Sequence, residues 1–349
     1  MALLTHRDPQ IVATALAKWI AGRPGVNDVR VVAADHPSIG YSSETVLVDL
    51  AWTDAGADGE RVHELVVRLP PPTTGTFRDY DLAPQTTAQM AAAAAGVAIA
   101  TPELVDDLEW LGTPFIVMPR VRGHIIGEVA VFDPWLVSLA EADRARVHEA
   151  FVGVVAATHR ADSAAAVGVP ARDNAAELDF WADYLEWSSN GSPVGALVDA
   201  LAWCRARRPS EESDPVLLWG DVRFGNVIFG DDLAPLAVLD WDMTSIGAPE
   251  HDVAWFTTIE ETTSSILGQH LDGFPGREGT IAQYESLSGR TLRDMPWYEV
   301  LSSIRSTAIL ARIGYLHEAA GLPSPIPLED NPLLDLLAAR IATAEAAAS

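Results

Sequence analysis

The hydrophobic pattern of this chain changes period once, near Gly123, and that change limits the folds open to it. Up to residue 119 the apolar residues come in short Val- and Leu-rich runs: VRVVAA (29–34), ETVLVDLAW (44–52), HELVVRLP (63–70), ELVDDLEW (103–110) and PFIVMP (114–119). Runs of this length bounded by Gly, Pro and Asp predict strands, and TDAGADGERV between the second and third predicts a hairpin loop. Two helices are predicted among them. One covers 8–22, with Asp8 as N-cap and Pro9 in its first turn; the other covers 84–96, opened by Pro84 and closed by Gly96. Beyond Gly123 helical spacing dominates, over 140–160, 175–189, 193–207, 296–318 and 332–347. Short strands near 216–219, 227–229 and 236–240 are the exception. A β-rich first third leading into a helical remainder predicts two lobes with a ligand cleft between them.

A hydrophobic fraction of 48% and 11 tryptophans in 349 residues are enough for a large folded core. Cys204 is the only cysteine, which excludes an intrachain disulfide and any cysteine-based zinc site. No His-x3-His pair or other metal spacing occurs among the nine histidines. A formal charge of −26 repels phosphate backbones, so a nucleic-acid partner is not expected. The same charge is compatible with a cationic ligand, within a screening length of about 8 Å. Arg7, Asp8 and Lys18 break up the apolar N-terminus, and MAAAAAGVAIA (90–100) is too short to span a bilayer. The expectation is a cytoplasmic protein without a membrane partner.

Chemistry concentrates in WGDVRFGNVIFGDDLAPLAVLDWDMTSIG, residues 219–247. Asp221, Asn226 and Asp240 stand at the ends of apolar runs, where burial is costly unless they are paired. Asp-x4-Asn with an Asp fourteen residues further on is the spacing of a kinase catalytic loop and its metal-binding aspartate. In phosphoryl transfer one carboxylate accepts the proton of an attacking hydroxyl. An amide oxygen and a second carboxylate hold Mg²⁺ against the phosphates.

The segment resembles the aminoglycoside phosphotransferase family of kinase-like enzymes. Trp219-Gly220-Asp221, Asn226, Asp240-Trp241-Asp242, Gly247 and Asp252 follow that family's pattern in order. Arg223 is similar to the branch fused to some acyl-CoA dehydrogenases. The resemblance implies a protein-kinase-like α+β fold, with a small β-sheet N-lobe (1–117), a hinge (118–123) and a larger, mostly α-helical C-lobe (124–349). It implies ATP or GTP and Mg²⁺ as cofactors, and transfer of the γ-phosphate to a hydroxyl of a small molecule, either an aminoglycoside or a hydroxylated metabolite or acyl derivative. Asp221 would be the base, with Arg223 on the γ-phosphate. Asn226 and Asp240 would hold the metal, and Asp242 would orient metal-bound water or form a nearby salt bridge. Asp252 would brace the catalytic loop through backbone N–H groups. Met118 would guard the adenine pocket, with the backbones of Pro119 and Val121 on the adenine edge.

The pattern is incomplete. Trp219 replaces a His, and the phosphate-binding lysine is absent, because Lys18 in the first helix is the only lysine. Arg68 occupies that lysine's strand and can grip phosphate with a bidentate fork. The lysine's usual glutamate partner is also missing, which leaves Gln85 as the nearest stand-in. The glycine-rich loop, HPSIGYSSET (36–45), has one glycine, and Ser42 and Ser43 would offer hydroxyls to phosphate. Blander readings stand beside these. Ser42 and Ser43 suit a turn, Met118 suits a core, His159 suits a helix end, and Glu177, Asp179, Asp183, Glu260 and Glu261 suit solvated helix faces. Two rival functions remain: a kinase-like protein that binds nucleotide or metabolite without turnover, and a metal-dependent glycosyltransferase using Asp240-Trp241-Asp242.

Overall fold

A computed structural model describes residues 6–37, 43–57, 59–73, 75–127, 129–189, 191, 194–324 and 331–347. Helix α1 (Pro9–Ala21) begins where expected: the Asp8 carboxylate accepts from Gln10 N (2.8 Å) and Pro9 fills the first helical position. It is followed by β1 (Val26–Asp35), β2 (Glu44–Asp54) and β3 (Arg61–Leu69), and the predicted hairpin joins β2 to β3 with Trp52 opposite Arg61. Next come α2 (Leu82–Ala94), β4 (Glu103–Val105) and β5 (Phe115–Pro119). Helix α2 starts two residues earlier than Pro84 because the Asp81 side chain caps Ala83 N (3.1 Å). β4 has only three residues, since DDLEW turns away from the sheet.

The five strands form one antiparallel sheet in the order β1-β2-β3-β5-β4. Its period-2 pattern separates two faces. Val46, Val48, Leu50, Val67, Leu69, Phe115 and Val117 pack on Val12, Ala13, Leu16 and Ile20 of α1. Val66, Ile116 and Met118 face the other way, in a smaller cluster with Leu82, Ala100, Leu104 and Val121. That second face also carries Arg68.

The chain then enters β6 (His124–Ile125), α3 (Pro134–Ser138), α4 (Glu141–Thr158), α5 (Asn174–Ser188), α6 (Gly195–Ala206), β7 (Val216–Leu218), β8 (Val227–Phe229), β9 (Pro235–Val238) and β10 (Ser245–Gly247). Helices α7 (Glu250–Leu267), α8 (Gly276–Ser288), α9 (Met295–Ala319) and α10 (Pro332–Ala347) complete it. At Gly123 a Cβ would lie 2.5 Å from Phe229 O, so the residue joining the lobes has no room for a side chain. Two small sheets, β6-β8-β9 and β7-β10, carry the polar segment. They rest on a helical core in which Phe151, Trp181, Trp219, Phe229, Trp241, Tyr284 and Tyr298 are fully buried. Helix α10 docks on its own lobe: Arg340 donates to Ser303 Oγ (2.7 Å) and Thr258 O (3.2 Å). No described helix is long and apolar enough to cross a membrane.

A buried ionic group sits behind the small sheets. Glu177 of α5 accepts from Arg172 Nε (2.6 Å) and Trp181 Nε1 (2.8 Å). Burial alone would raise its pKa, but the Arg172 and Arg305 guanidiniums and His251 outweigh that and hold the carboxyl at about 2. A carboxylate whose folded pKa is depressed stabilises the fold above its unfolded pKa of about 4.3 and loses that contribution as pH falls towards 2. The contribution is on the order of 3 kcal/mol. Urea-unfolding midpoints measured along an acid series are expected to drop over this window, and Glu177→Gln is expected to flatten that limb.

Candidate active site

Catalytic geometry starts from the loop after β7. Gly220 has φ +93°, and a Cβ there would lie 2.3 Å from Met243 O, so only glycine brings the 219–221 backbone against the loop after β9. The Asp252 carboxylate, 1% exposed at the start of α7, accepts from Trp219 N (2.8 Å) and Gly220 N (2.9 Å). His159 Nε2 lies 3.1 Å from the same carboxylate, and its Nδ1 lies 2.7 Å from Tyr284 Oη. His159 therefore does more than end α4: it ties α4 and α8 to the brace under the loop.

The Asp221 carboxylate receives three donors. Asn226 Nδ2 (2.7 Å) and Arg223 Nε (2.9 Å) reach Oδ2, and Trp255 Nε1 (3.1 Å) reaches Oδ1. Asn226 Nδ2 also donates to Asp221 O (3.0 Å), which leaves the amide oxygen as the group with affinity for a cation. Leu239 N donates to Asn226 O (2.8 Å), and Trp219 Nε1 donates to Leu239 O (2.9 Å) and Asp240 O (3.1 Å). Trp219 is thus a clamp between the two loops as well as a packing residue. Asp240 takes a left-handed backbone, φ +56°, which Asp tolerates better than most residues.

Arg68 brings the sheet lobe to this point. Its Nη2 lies 3.1 Å from Asp242 Oδ1, 3.8 Å from Asp240 Oδ1 and 2.9 Å from Ser43 Oγ. Ser43 in turn donates to Asp242 Oδ2 (2.7 Å). Burial, then the charge of Asp242, pushes the Asp240 carboxyl up to about 7 despite the opposing field of Arg68. Crowded carboxylates of this kind, with an amide oxygen beside them, make an all-oxygen donor set that fits a hard divalent cation.

Of the residues predicted from sequence, Asp221, Arg223 and Asn226 form one hydrogen-bonded group, and Arg68, Ser43 and Asp242 form a second, with Asp240 beside it at ion-pair distance from Arg68. The Leu239–Asn226 and Trp219–Asp240 bonds join the two groups. Met118 is buried on the cleft-side face of the sheet with Val121 beside it, and Arg120 N closes the strand by donating to Glu64 O (2.9 Å) next to Pro119. Ser42 lies outside the described residues. Gln85 is not the partner of Arg68: the guanidinium turns to Asp242 instead, and Gln85 Oε1 has no partner among the described residues. Trp255 went unforeseen. It lies in a stretch, 250–258, that is buried without a break, so no periodic signal marks it.

The profile of the phosphotransferase enzyme family matches residues 37–282. A curated relative, acyl-CoA dehydrogenase family member 11 of Pongo abelii, is 23% identical over 232 residues, covering 63% of this chain and 29% of that protein. The chain therefore spans under a third of that relative's length. Among solved structures, a candidate aminoglycoside phosphotransferase from Ralstonia eutropha superposes with a TM-score of 0.68 at 21% identity, covering 96% of this chain and 98% of the other. The GDP complex of aminoglycoside 2'-phosphotransferase-IIIa superposes with a TM-score of 0.54 at 14% identity, over 98% and 100% of the two chains. These likenesses establish the protein-kinase-like α+β fold, with its sheet lobe and helical lobe, and leave the glycosyltransferase reading without support. Because the family profile covers well over half of the sequence and carries Asp221, Asn226, Asp240 and Asp252 within its span, the chain belongs to the phosphotransferase enzyme family.

Proposed function

We propose that the protein transfers the terminal phosphoryl group of ATP or GTP to a hydroxyl of a small molecule. The observation that carries this reading is the linkage of Asp221 and Asn226 to Asp240 through the Leu239–Asn226 and Trp219–Asp240 hydrogen bonds. Asp221 positions the acceptor hydroxyl. The carboxylate takes the proton of that hydroxyl late in the step. By then the new O–P bond is forming and the bond to the departing nucleoside diphosphate is breaking. Trp255 and Asn226 fix the rotation of the carboxylate, and Arg223 beside it offsets negative charge as the phosphoryl group approaches. Asn226 Oδ1, Asp240 and Asp242 would hold Mg²⁺, which when bound neutralises and aligns the phosphates. Met118, Pro119 and Val121 would border the adenine, with Ser43 and Arg68 on the phosphate side.

The position of Arg68 on Asp242 favours a second reading, in which nucleotide is held without turnover. The two readings separate in one experiment. Mg²⁺–ATP is expected to raise the melting temperature of the parent protein. Asp240→Ala is expected to abolish the Mg²⁺-dependent part of that rise, and ADP release with a hydroxyl-bearing acceptor is expected to fall with it. Stabilisation by Mg²⁺–ATP without transfer to any member of a broad acceptor panel would leave only the holding protein. An unaltered Mg²⁺ response in Asp240→Ala would refute the metal assignment.

A further inference from the structure

Arg305 lies on α9 in the helical lobe and is 3% exposed. Its guanidinium makes no hydrogen bond or ion pair with any described residue, and its Nε is a buried donor without a partner. It is stacked between two indoles, 5.1 Å from the ring centre of Trp181 and 4.8 Å from that of Trp255. Trp255 is the residue whose Nε1 donates to Asp221, so this guanidinium, without a hydrogen-bond partner of its own, stands one ring away from the proposed base.

Three carboxylates act on its charge from nearby, Glu177 most, then Asp252 and Asp221, but none is hydrogen-bonded to it, and each holds other donors. Glu177 holds Arg172 and Trp181. Asp252 holds Trp219 N, Gly220 N and His159. Asp221 holds Arg223, Asn226 and Trp255. Two more buried groups at the packed α7–α9 interface are also without partners among the described residues, Thr258 Oγ1 one turn beyond Trp255 and Ser302 Oγ one turn before Arg305. A guanidinium whose buried Nε donor goes unmet carries a desolvation penalty, and its planar fork matches carboxylate or phosphate oxygens.

We propose that Arg305 binds an anionic group of the acceptor, so that the substrate class is a small hydroxylated anion rather than a cation. This rests on the phosphotransfer reading only for the hydroxyl; the anion contact stands on Arg305 itself. The net acidity of the chain does not oppose it, since screening confines surface charge to about 8 Å and Arg305 is buried. The anionic oxygens come from a carboxylate or from a phosphate monoester.

The test is calorimetry without nucleotide, followed by ADP release with Mg²⁺–ATP. The carboxylate arm compares 3-phenyllactate with its neutral counterpart 3-phenylpropane-1,2-diol and its cationic counterpart phenylalaninol. The phosphate arm compares glycerol 3-phosphate with glycerol. At least one anion is expected to bind about tenfold or more tightly than its neutral counterpart. Arg305→Met is expected to erase that preference and Arg305→Lys to keep part of it. If Arg305→Met does not fold, the loss in Arg305→Lys carries the result, because Lys keeps the charge but not the fork. An anion that binds without being phosphorylated would sink the transfer reading alone. Three results would overturn the present inference and make Arg305 a structural counter-charge: a preference for neutral or cationic probes, a preference unchanged in Arg305→Met, or no anion bound at millimolar concentration.

Discussion

Asp221→Asn is expected to lower turnover by about 10²- to 10⁴-fold while Mg²⁺–ATP raises the melting temperature as it does in the parent. The substitution changes almost no volume, so the loop should keep its course. What it removes is the proton acceptor. It also sets an NH₂ group against Trp255 Nε1, because a carboxamide has a single acceptor atom and the other orientation would oppose both Arg223 and Asn226. That lost bond should cost about 1 kcal/mol of stability, far less than the catalytic effect. Steady-state ADP release with saturating nucleotide measures the first quantity and thermal unfolding the second. A variant that turned over at the parental rate would assign the proton to another group.

Asp252→Ala is expected to be the most destabilising of the single replacements considered. Two buried backbone donors, Trp219 N and Gly220 N, would lose their acceptor, and His159 would lose its carboxylate. Each stranded buried donor costs roughly 1–3 kcal/mol. For a chain of this size the melting temperature should fall by several degrees, at about 2–4 °C per kcal/mol. Turnover should fall as well, because Gly220 precedes Asp221 and its backbone would no longer be pinned. Asp252→Asn keeps one acceptor oxygen and should fall between the two. A melting temperature unchanged in Asp252→Ala would show that the loop is held elsewhere, through Gly220 packed on Met243 or Thr244 Oγ1 on Leu218 O.

What could be read from the sequence was whatever short-range spacing encodes. Asp221, Asn226 and Asp240 stand within one apolar segment, and the brace role of Asp252 took shape as expected. The hairpin and the face of α1 followed from period and caps. Helices α7 and α8 did not, for opposite reasons. The first turns of α7 are buried on every side from Glu250 to Thr258 and show no polar face, whereas α8 buries only Thr280 and Tyr284 and shows almost no apolar one. Partnerships across the molecule were the least legible. Ser43 meets Asp242, Arg68 turns to Asp242 instead of Gln85, and Arg305 of α9 stacks on Trp255 of α7. No local pattern specifies such pairs, because they arise only when distant segments pack.

The bond from Arg68 to Asp242 spans the cleft, linking β3 above to the loop after β9 below. Anything that claims either partner must first part them, so the strength with which the proposed nucleotide would be held is discounted by how seldom the latch stands open. On the proposed reading, a side chain that would meet phosphate would thus also ration its admission, and tightness of binding would be set in part by a contact that includes no atom of the guest.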